Sequence, residues 1–215
     1  MKMIEIKIDD ERYPQLLKEI YNPPNTLYCE GNISLLNKPS IAIIGCRNMS
    51  KYGEKIAKIF AEGISKAGVT VVSGLARGID KVAHNNSYKN EGRTIAVLGC
   101  GLDIIYPKEN EQLYRDIINN DGLIISEFSE GTRPNKENFP QRNRIISGLS
   151  RGIIVVEAKR KSGTMITVDH ALEQGRDVFV VPGNIDSINS TGTNELIKEG
   201  AKIVTSYKEV LNDVL

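Results

Sequence analysis

The sequence lacks a long hydrophobic run, has few cysteines and carries no excess of charge of either sign. No apolar stretch approaches the ~18 residues that a membrane-spanning helix needs. Cys29, Cys46 and Cys100 are widely spaced and lack metal-ligand spacing, so we expect neither a disulfide framework nor a zinc site. The first residues alternate apolar with charged side chains, unlike a signal peptide, which predicts a cytoplasmic protein.

The charges nearly cancel, because 28 Lys and Arg oppose 27 Asp and Glu for a net charge of +1. Dedicated nucleic-acid binders are often strongly basic, so the overall balance by itself favours other classes of protein. Net charge does not show where the charges lie, however, and a local site remains open.

Several familiar motifs are also missing. Gly99 and Gly101 form a GxG pair without the third glycine of the dinucleotide fingerprint, and neither a GxxxxGK[ST] loop nor a GxSxG elbow occurs. The only histidines are His84 and His170, and both fall on predicted helices, where a packed or partly exposed side chain is the simpler reading. Asp80 and Asp103 are interpreted as capping or loop-holding residues. The motifs support neither a nucleophile–base pair nor a metal site.

What the chain does have is a regular alternation of apolar runs and amphipathic segments. The apolar runs lie at 41–44, 69–72, 94–98, 123–125, 152–156 and 178–181. The amphipathic segments lie near 51–67, 77–90, 109–120, 138–150 and 164–175. The runs lack polar alternation, which indicates strands that are buried on both faces. The sequence therefore predicts an α/β fold with a mostly parallel, doubly wound sheet and helices on both faces.

The two ends of the chain differ from this pattern. Residues 1–39 contain proline breaks, and we predict an N-terminal extension or cap there, followed by one Rossmann-like domain over residues 40–215. The tail from residue 193 onwards predicts two short helices around a weak strand near 201–204.

Glycine-containing loops follow the predicted strands at the edge where open α/β sheets bind ligands. The residues of interest in these loops are Gly45, Arg47, Ser73, Gly74, Gly78, Lys161, Ser162, Gly163 and Thr164. Glycine lets a backbone approach a ligand closely, and a helix N-terminus suits a phosphate. Each loop alone is better explained by tight turns and caps, but four loops on one edge, with Arg47 and Lys161 among them, favour a phosphate-lined groove.

One segment is locally basic. Residues 131–162 hold eight basic and two acidic side chains, a charge of +6 that leaves −5 for the rest of the chain. Phe139 lies in this segment close to Arg142 and Arg144, and an aromatic ring among cations can stack on a base while the cations bind phosphates. The alternative, a core phenylalanine with solvated arginines, is equally compatible with the residues alone.

Five segments, taken in order, resemble the DNA-processing protein A (DprA/Smf) family. They are GCR at 45–47, SGLARGID at 73–80, FPQRNRIISGLS at 139–150, SGT at 162–164 and GTNELI at 192–197. The stretch at 139–150 is highly specific, whereas the glycine turns alone are weak signals. The region around 13–24 is similar to the one before the family's Rossmann-like domain, so the resemblance spans nearly the whole chain.

The resemblance implies an extended Rossmann-like fold in a bacterial cytoplasmic homodimer that binds single-stranded DNA. Members of the family protect incoming DNA in natural transformation and help to load RecA recombinase onto it, without a cofactor or enzymatic turnover. The segment 194–204 resembles the region that supplies the family's dimer contact.

The resemblance also implies roles for individual residues. Arg47 matches a loop arginine that contacts phosphate, and Phe139 matches a stacking aromatic. The full DNA-binding set predicted in this way is Arg47, Lys136, Phe139, Arg142, Asn143, Arg144, Lys161, Ser162, Gly163 and Thr164, with Gly45, Ser73, Gly74 and Gly78 as phosphate-loop residues. Within the Arg-Asn-Arg motif at 142–144, at least one residue is open to a structural role that links helix to sheet.

Two other functions compete with this reading. The fold resembles that of lysine-decarboxylase-like phosphoribohydrolases, whose PGGxGTxxE motif has a catalytic glutamate where this chain has Thr167. That difference disfavours hydrolysis and leaves nucleotide binding open. The other alternative is an adaptor whose basic segment binds an acidic protein.

Overall fold

The computed structural model describes residues 3–214 and has nine strands and eight α-helices in that range. The strands are β1 (Ile4–Lys7), β2 (Thr26–Gly31), β3 (Ser40–Ile44), β4 (Thr70–Ser73), β5 (Thr94–Leu98), β6 (Leu123–Ser126), β7 (Gly152–Val155), β8 (Asp177–Val180) and β9 (Lys202–Ile203). The helices are α1 (Gln15–Lys18), α2 (Lys51–Lys66), α3 (Ile79–Asn85), α4 (Glu111–Asn119), α5 (Asn138–Leu149), α6 (Gly163–Glu173), α7 (Thr191–Lys198) and α8 (Tyr207–Val214). Short 3-10 turns lie at Ile33–Asn37, Lys108–Asn110 and Ile188–Ser190.

All nine strands belong to one sheet, in the order β1-β2-β6-β5-β4-β3-β7-β8-β9. The seven strands from β6 to β9 in that order pair in parallel, whereas β1 and β2 are antiparallel to their neighbours. The predicted α/β fold with a mostly parallel sheet is therefore confirmed.

The central strand β3 shows why its sequence is continuously apolar. Ile41 and Ile43 pack into a cluster with side chains of α2 and α3 on one face of the sheet. Ala42 and Ile44 pack with side chains of α5 and α6 on the other face. Both faces are covered, so a polar residue on either one would be buried without water, and the alternation of a half-exposed strand is absent.

The N-terminal segment contributes two strands that the sequence analysis did not predict. β1 pairs with β2, and β2 pairs with β6 in a register that sets Cys29 opposite Ile125. Ile6 and Leu27 are fully buried, which is what the alternation of apolar and polar residues in these short segments allows. The boundary near residue 39 stays a prediction, and residues 1, 2 and 215 of the two predicted domains lie outside the described range.

The predicted helices are present with shifted ends. The largest difference is α3, which is predicted over 77–90 but spans only Ile79–Asn85. It begins at Ile79 because Gly78 has a φ of +74° that a right-handed helix cannot contain, and residues 86–89 form turns in place of its predicted end. The tail forms α7, β9 and α8 as predicted. Among the described residues, no helix combines the length and apolar character required to cross a membrane.

The strand order reverses beside β3, which has β4 on one side and β7 on the other. In open α/β sheets, ligands bind outside the carboxyl ends of the strands at such a reversal. The loops after β3 and β7 carry Arg47 and the Ser162–Thr164 triplet, so the topology brings these predicted residues to one crevice.

Candidate functional site

A cleft of about 400 Å³ lies at this reversal point. It is lined by Ile44, Gly45, Cys46, Arg47, Asn48, Ala76, Asp80, Phe139, Pro140, Arg142, Asn143, Ile146, Lys159, Ser162, Gly163, Thr164, Ile166 and Thr167. Seven of the ten residues predicted to bind DNA contribute to this lining. The other three, Lys136, Arg144 and Lys161, do not line it.

Arg47 is exposed at the mouth of the cleft, in the loop between β3 and α2. Its guanidinium carbon lies 5.7 Å from the centroid of the Phe139 ring. Within residues 3–214, the Arg47 side chain has no carboxylate partner within ion-pair distance. This cation is therefore available to an anion that enters the cleft.

Phe139 lies in the first turn of α5 and is partly exposed. Its ring centroid is 5.7 Å from that of Tyr106, and the two ring planes are tilted by 37°. On another side the ring lies against Gly99, where an added Cβ would come within 3.0 Å of the ring. The ring is thus fixed by its neighbours while part of it stays open, a position in which a flat ligand could stack on it.

Arg142 follows one turn later but points into the protein and is only 4% exposed. It donates to the backbone oxygen of Gly74 at 2.7 Å and to that of Val97. Burial lowers its pKa to about 10, against the opposing effect of the nearby Asp80 carboxylate. Arg142 therefore ties α5 to the ends of β4 and β5 while it forms part of the cleft floor.

Gly74 is one of the predicted phosphate-loop residues, and its observed neighbour is this same arginine. A Cβ at Gly74 would lie 2.5 Å from Nη1 of Arg142, so any side chain there would displace the buried guanidinium. Ser73 is fully buried and donates from Oγ to the backbone oxygen of Ile43 at 2.7 Å. Both residues thus contact the protein interior.

The other two predicted phosphate-loop glycines also accommodate parts of the protein. A Cβ at Gly78 would overlap the backbone of Cys46 and Arg47, so this glycine lets α3 pack against the Arg47 loop. A Cβ at Gly45 would lie 2.7 Å from the Ile79 side chain. Of the four, only Gly45 lines the cleft.

Arg144 lies on a different side of α5 and is also buried. Its guanidinium pairs with Glu127 at 2.6 Å, and both side chains are only 9% exposed. Nε of Arg144 donates to the backbone oxygen of Asn22 at 2.9 Å. These contacts hold α5 to the end of β6 and to the N-terminal segment, the structural role left open for this motif.

Asn143, between the two arginines, belongs to the cleft itself. Its Oδ1 accepts from Nε of Arg142 at 3.2 Å, and its Nδ2 donates to the backbone oxygen of Gly163 at 3.3 Å. Asn143 therefore connects the buried arginine to the loop that begins α6.

That loop places Ser162, Gly163 and Thr164 at the N-terminus of an 11-residue helix. The first amides of a helix have no partner within the helix, and they carry the positive end of its dipole. A Cβ at Gly163 would meet no atom within 4 Å, so the approach to this turn is open. The arrangement can accept an anion such as a phosphate oxygen.

Lysines surround the cleft. Lys136 and Lys161 are exposed on the segments beside it, and Lys159 lines it directly. The sequence analysis counted Lys159 in the basic segment without placing it in the site. Its position three residues before the Ser162 turn was the signal that could have identified it.

The loop-holding roles predicted for the two aspartates are confirmed. Asp103 accepts from the Gly131 amide at 3.0 Å, and Asp80 accepts from the Gly74 amide at 3.2 Å. His84 is fully buried, accepts from the Leu75 amide at Nε2, and lies 2.8 Å from Oγ1 of Thr94 through Nδ1. These three residues hold the loops of the site in place.

Comparison with known proteins gives a consistent family. Residues 5–215 match the family described as DNA recombination-mediator protein A. The chain is 49% identical to the DNA processing protein DprA of Streptococcus pneumoniae over 98% of this chain and 74% of that protein. It is 44% identical to the protein Smf of Escherichia coli, over 97% of this chain and only 56% of that protein.

Solved structures agree with this result. The pneumococcal DprA structure superposes with a TM-score of 0.94 at 47% identity, over 100% of this chain and 75% of that one. A DprA structure from Helicobacter pylori, described as revealing a unique single-stranded DNA binding mode, superposes with a TM-score of 0.90 at 32% identity, over 99% and 95% of the two chains. The specific motif at 139–150, the fold and these similarities lead to one conclusion: the chain belongs to the DNA recombination-mediator protein A family, whose members are named DprA or Smf.

Proposed function

We propose that this chain binds single-stranded DNA in the cleft and does so without catalysing a reaction on it. The observation that carries the proposal is the pairing of Arg47, an exposed cation without an acidic partner among residues 3–214, with the partly exposed ring of Phe139. A cation next to an aromatic platform suits a phosphate beside an unstacked base. The described binding mode of the H. pylori relative supports the same ligand.

In this proposal each part of the cleft has a separate role. Arg47, Lys159 and the first amides of α6 bind phosphates, and Phe139 stacks on a base. Lys136 and Lys161 extend the positive field beyond the cleft, where a longer strand would pass. Arg142 and Arg144 act through the fold, because their guanidinium groups already donate to protein atoms.

A nucleotide hydrolase is the weaker alternative. Thr167, at the position of the hydrolase glutamate, is 3% exposed and offers no carboxylate. The acid that the cleft does include, Asp80, accepts from the Gly74 amide and is 8% exposed. We therefore propose that no catalytic base is available here.

The test is a fluorescence anisotropy titration with labelled oligo-dT, a duplex of the same length and a mononucleotide competitor at two salt concentrations. We expect tight binding to the single strand alone, with an affinity that falls as salt rises because bound phosphates release counterions. Arg47→Ala should weaken binding about tenfold, the effect of losing one charge-assisted hydrogen bond. The matched control is Arg115→Ala, since Arg115 is exposed on α4 and, among residues 3–214, forms an ion pair only with Glu111. Unchanged binding by Arg47→Ala would refute the assignment of the cleft.

The finer role is also a proposal. The protein would protect incoming DNA and help to load RecA recombinase during natural transformation or recombination, as a cytoplasmic homodimer. The exposed strand β9, with Ile203 47% exposed, lies within the segment 194–204 that supports the dimer proposal. Sedimentation of the wild type and of Ile203→Glu tests the dimer, and a direct binding assay with purified RecA tests that partner. A monomeric wild type would refute the dimer proposal, and a RecA that does not bind would refute the RecA proposal. Neither result would affect the proposal that the chain binds single-stranded DNA.

A further inference from the structure

Glu157 is a buried carboxylate beneath the Arg47 loop. It follows β7, is 1% exposed and, within residues 3–214, has no lysine, arginine or histidine at ion-pair distance. Its Oε1 accepts from Oγ of Ser50 at 2.5 Å, and its Oε2 accepts from the Ser50 amide at 2.9 Å. A buried carboxylate is costly without hydrogen-bond donors, and Ser50 supplies two of them to Glu157.

The same glutamate reaches the other end of the loop. Its backbone oxygen accepts from the Cys46 amide at 2.9 Å. Asn189, from the 3-10 turn before α7, donates from Nδ2 to the backbone oxygen of Asn48 at 2.9 Å and lies 3.4 Å from Oε2 of Glu157. The chain is therefore fixed at residues 46, 48 and 50, on both sides of Arg47.

The carboxylate also occupies a particular place in the fold. Ser50 caps α2, a 16-residue helix, and accepts from the Gly53 amide at 3.0 Å. A Cβ at Gly53 would overlap the Glu157 carboxylate, so the first turn of the helix lies directly against it. In nucleotide-binding α/β folds, the helix after the first parallel strand presents this turn to a ligand phosphate. Here the negative charge of the protein itself is at that position, where the helix dipole stabilises it.

We propose that Glu157 is a positioning residue for Arg47. Its carboxylate replaces a ligand phosphate at the start of α2 and, through Ser50 and Asn189, holds the 46–50 loop so that Arg47 faces the cleft. The phosphate of a bound strand then meets Arg47 instead of the α2 amides. This inference rests on the proposed single-stranded DNA function of the same cleft.

The experiment is a double-mutant cycle of Glu157→Gln and Arg47→Ala, with oligo-dT affinity measured by anisotropy and folding followed by thermal melting. Glutamine keeps the size of the side chain but removes its negative charge and leaves only one oxygen to accept, so the three donations from Ser50 and Asn189 are no longer all possible. We expect Glu157→Gln to weaken binding about three- to tenfold in the wild type and by less than about 1.5-fold in the Arg47→Ala background, because positioned residues act through their target. Glu173→Gln, a change at a 74% exposed glutamate on α6, is the matched control and should leave binding unchanged.

Three outcomes separate the possibilities. If Glu157→Gln weakens oligo-dT binding as much in the Arg47→Ala background as in the wild type, the positioning role is overturned and the effect is a general structural one. Unchanged binding by Glu157→Gln, with a loss from Arg47→Ala, would overturn the inference and leave the proposed function standing. No loss from Arg47→Ala would refute the proposed function itself. If Glu157→Gln does not fold, the same cycle with Asn189→Ala decides, since that change removes the hydrogen bonds to Asn48 and Glu157 and leaves the carboxylate itself unchanged.

Discussion

The basic segment at residues 131–162 divides into two groups that the sequence does not distinguish. Four of its arginines have protein partners: Arg142 and Arg144 are buried, Arg151 donates to the backbone oxygen of Val214, and Arg160 pairs with Glu195. The other group has no ion pair or side-chain hydrogen bond within residues 3–214. It consists of Arg133, Lys136, Lys159 and Lys161.

The net charge counted over a segment of sequence is therefore an upper limit on the number of cations that a ligand can contact, because some of them already have partners in the protein. An arginine with a planar fork of donors can satisfy several acceptors at once, which suits Arg142 and Arg144 to join α5 to the rest of the fold. Lysines on flexible stems remain exposed at the rim. In the proposed function, the side chains left to bind phosphates are therefore this second group together with Arg47, a residue outside the basic segment.

The largest expected effect is a difference in stability between variants of a buried arginine of this segment, Arg142, and of the exposed Arg47. Arg142→Ala should lower the free energy of unfolding by about 3–5 kcal/mol, because it leaves the Gly74 and Val97 oxygens without a donor and removes the charge near buried Asp80. Arg47→Ala should change it by less than about 0.5 kcal/mol, as for an exposed side chain. Urea denaturation of both variants measures this difference. Similar free energies of unfolding for the two variants would contradict the structural role of Arg142.

A second prediction concerns the pH dependence of the buried group. Burial lowers the pKa of His84 to about 3, and the Arg142 cation adds to the effect. Below pH ~6.5, His84 binds a proton in the unfolded chain but stays neutral in the folded protein. Its contribution therefore makes the free energy of unfolding fall as the pH drops from there towards 3.

The slope from this single proton is at most about 1.4 kcal/mol per pH unit. His84→Gln should remove it, so the stability difference between variant and wild type should shrink between pH 6 and pH 4. Burial raises the pKa of Asp80, which acts in the opposite direction, but Asp80 is present in both proteins and cancels in the difference. Parallel stability curves for the two proteins would show that His84 does not titrate in this way.

The smallest effect belongs to the exposed rim. Lys161→Ala should weaken oligo-dT binding only about two- to threefold, the size expected of one solvent-exposed charge. It should reduce the salt slope by about 0.7, the value for one phosphate contact on a single strand. Lys208→Ala, at an exposed lysine on α8, serves as the control. If Lys161→Ala weakens oligo-dT binding more than Arg47→Ala does, the main DNA contacts lie beside the cleft and not within it.

The parallel part of the fold was predictable from the sequence, and the antiparallel part was not. Runs such as 41–44 are apolar at every position, a pattern that strands buried on both faces produce. β1 and β2 are four and six residues long and lie among proline breaks, so their alternation was too short to identify them. β2 joins the sheet by pairing with β6, which is distant in the sequence, and β1 joins it by pairing with β2.

The candidate site was predictable to a similar degree. The rule that ligands bind at the carboxyl ends of strands placed Arg47 and Thr164 together, whereas Phe139 was predicted from the basic segment and the family resemblance; the structure brings all three to one cleft. The same rule could not show that Ser73 and Gly74 contact the interior, because their partners, Ile43 and Arg142, come from distant parts of the chain. The sequence showed Glu157 as an acid directly after a strand and within the basic segment, but its contacts to Ser50 could be seen only in the folded loop.

The central contact in the proposed function is a DNA base stacked on the Phe139 ring. Because the sequence contains no tryptophan, a tryptophan introduced at position 139 is a unique fluorescent probe of that contact. The measurement is the tryptophan emission of Phe139→Trp during an oligo-dT titration, with Leu172→Trp, at a 60% exposed site near the far end of α6, as the control. We predict that the emission of Phe139→Trp is quenched in step with the rise in anisotropy while that of Leu172→Trp is unchanged, since stacking brings the base onto the indole. Full binding by anisotropy with unchanged emission from Phe139→Trp would contradict the account.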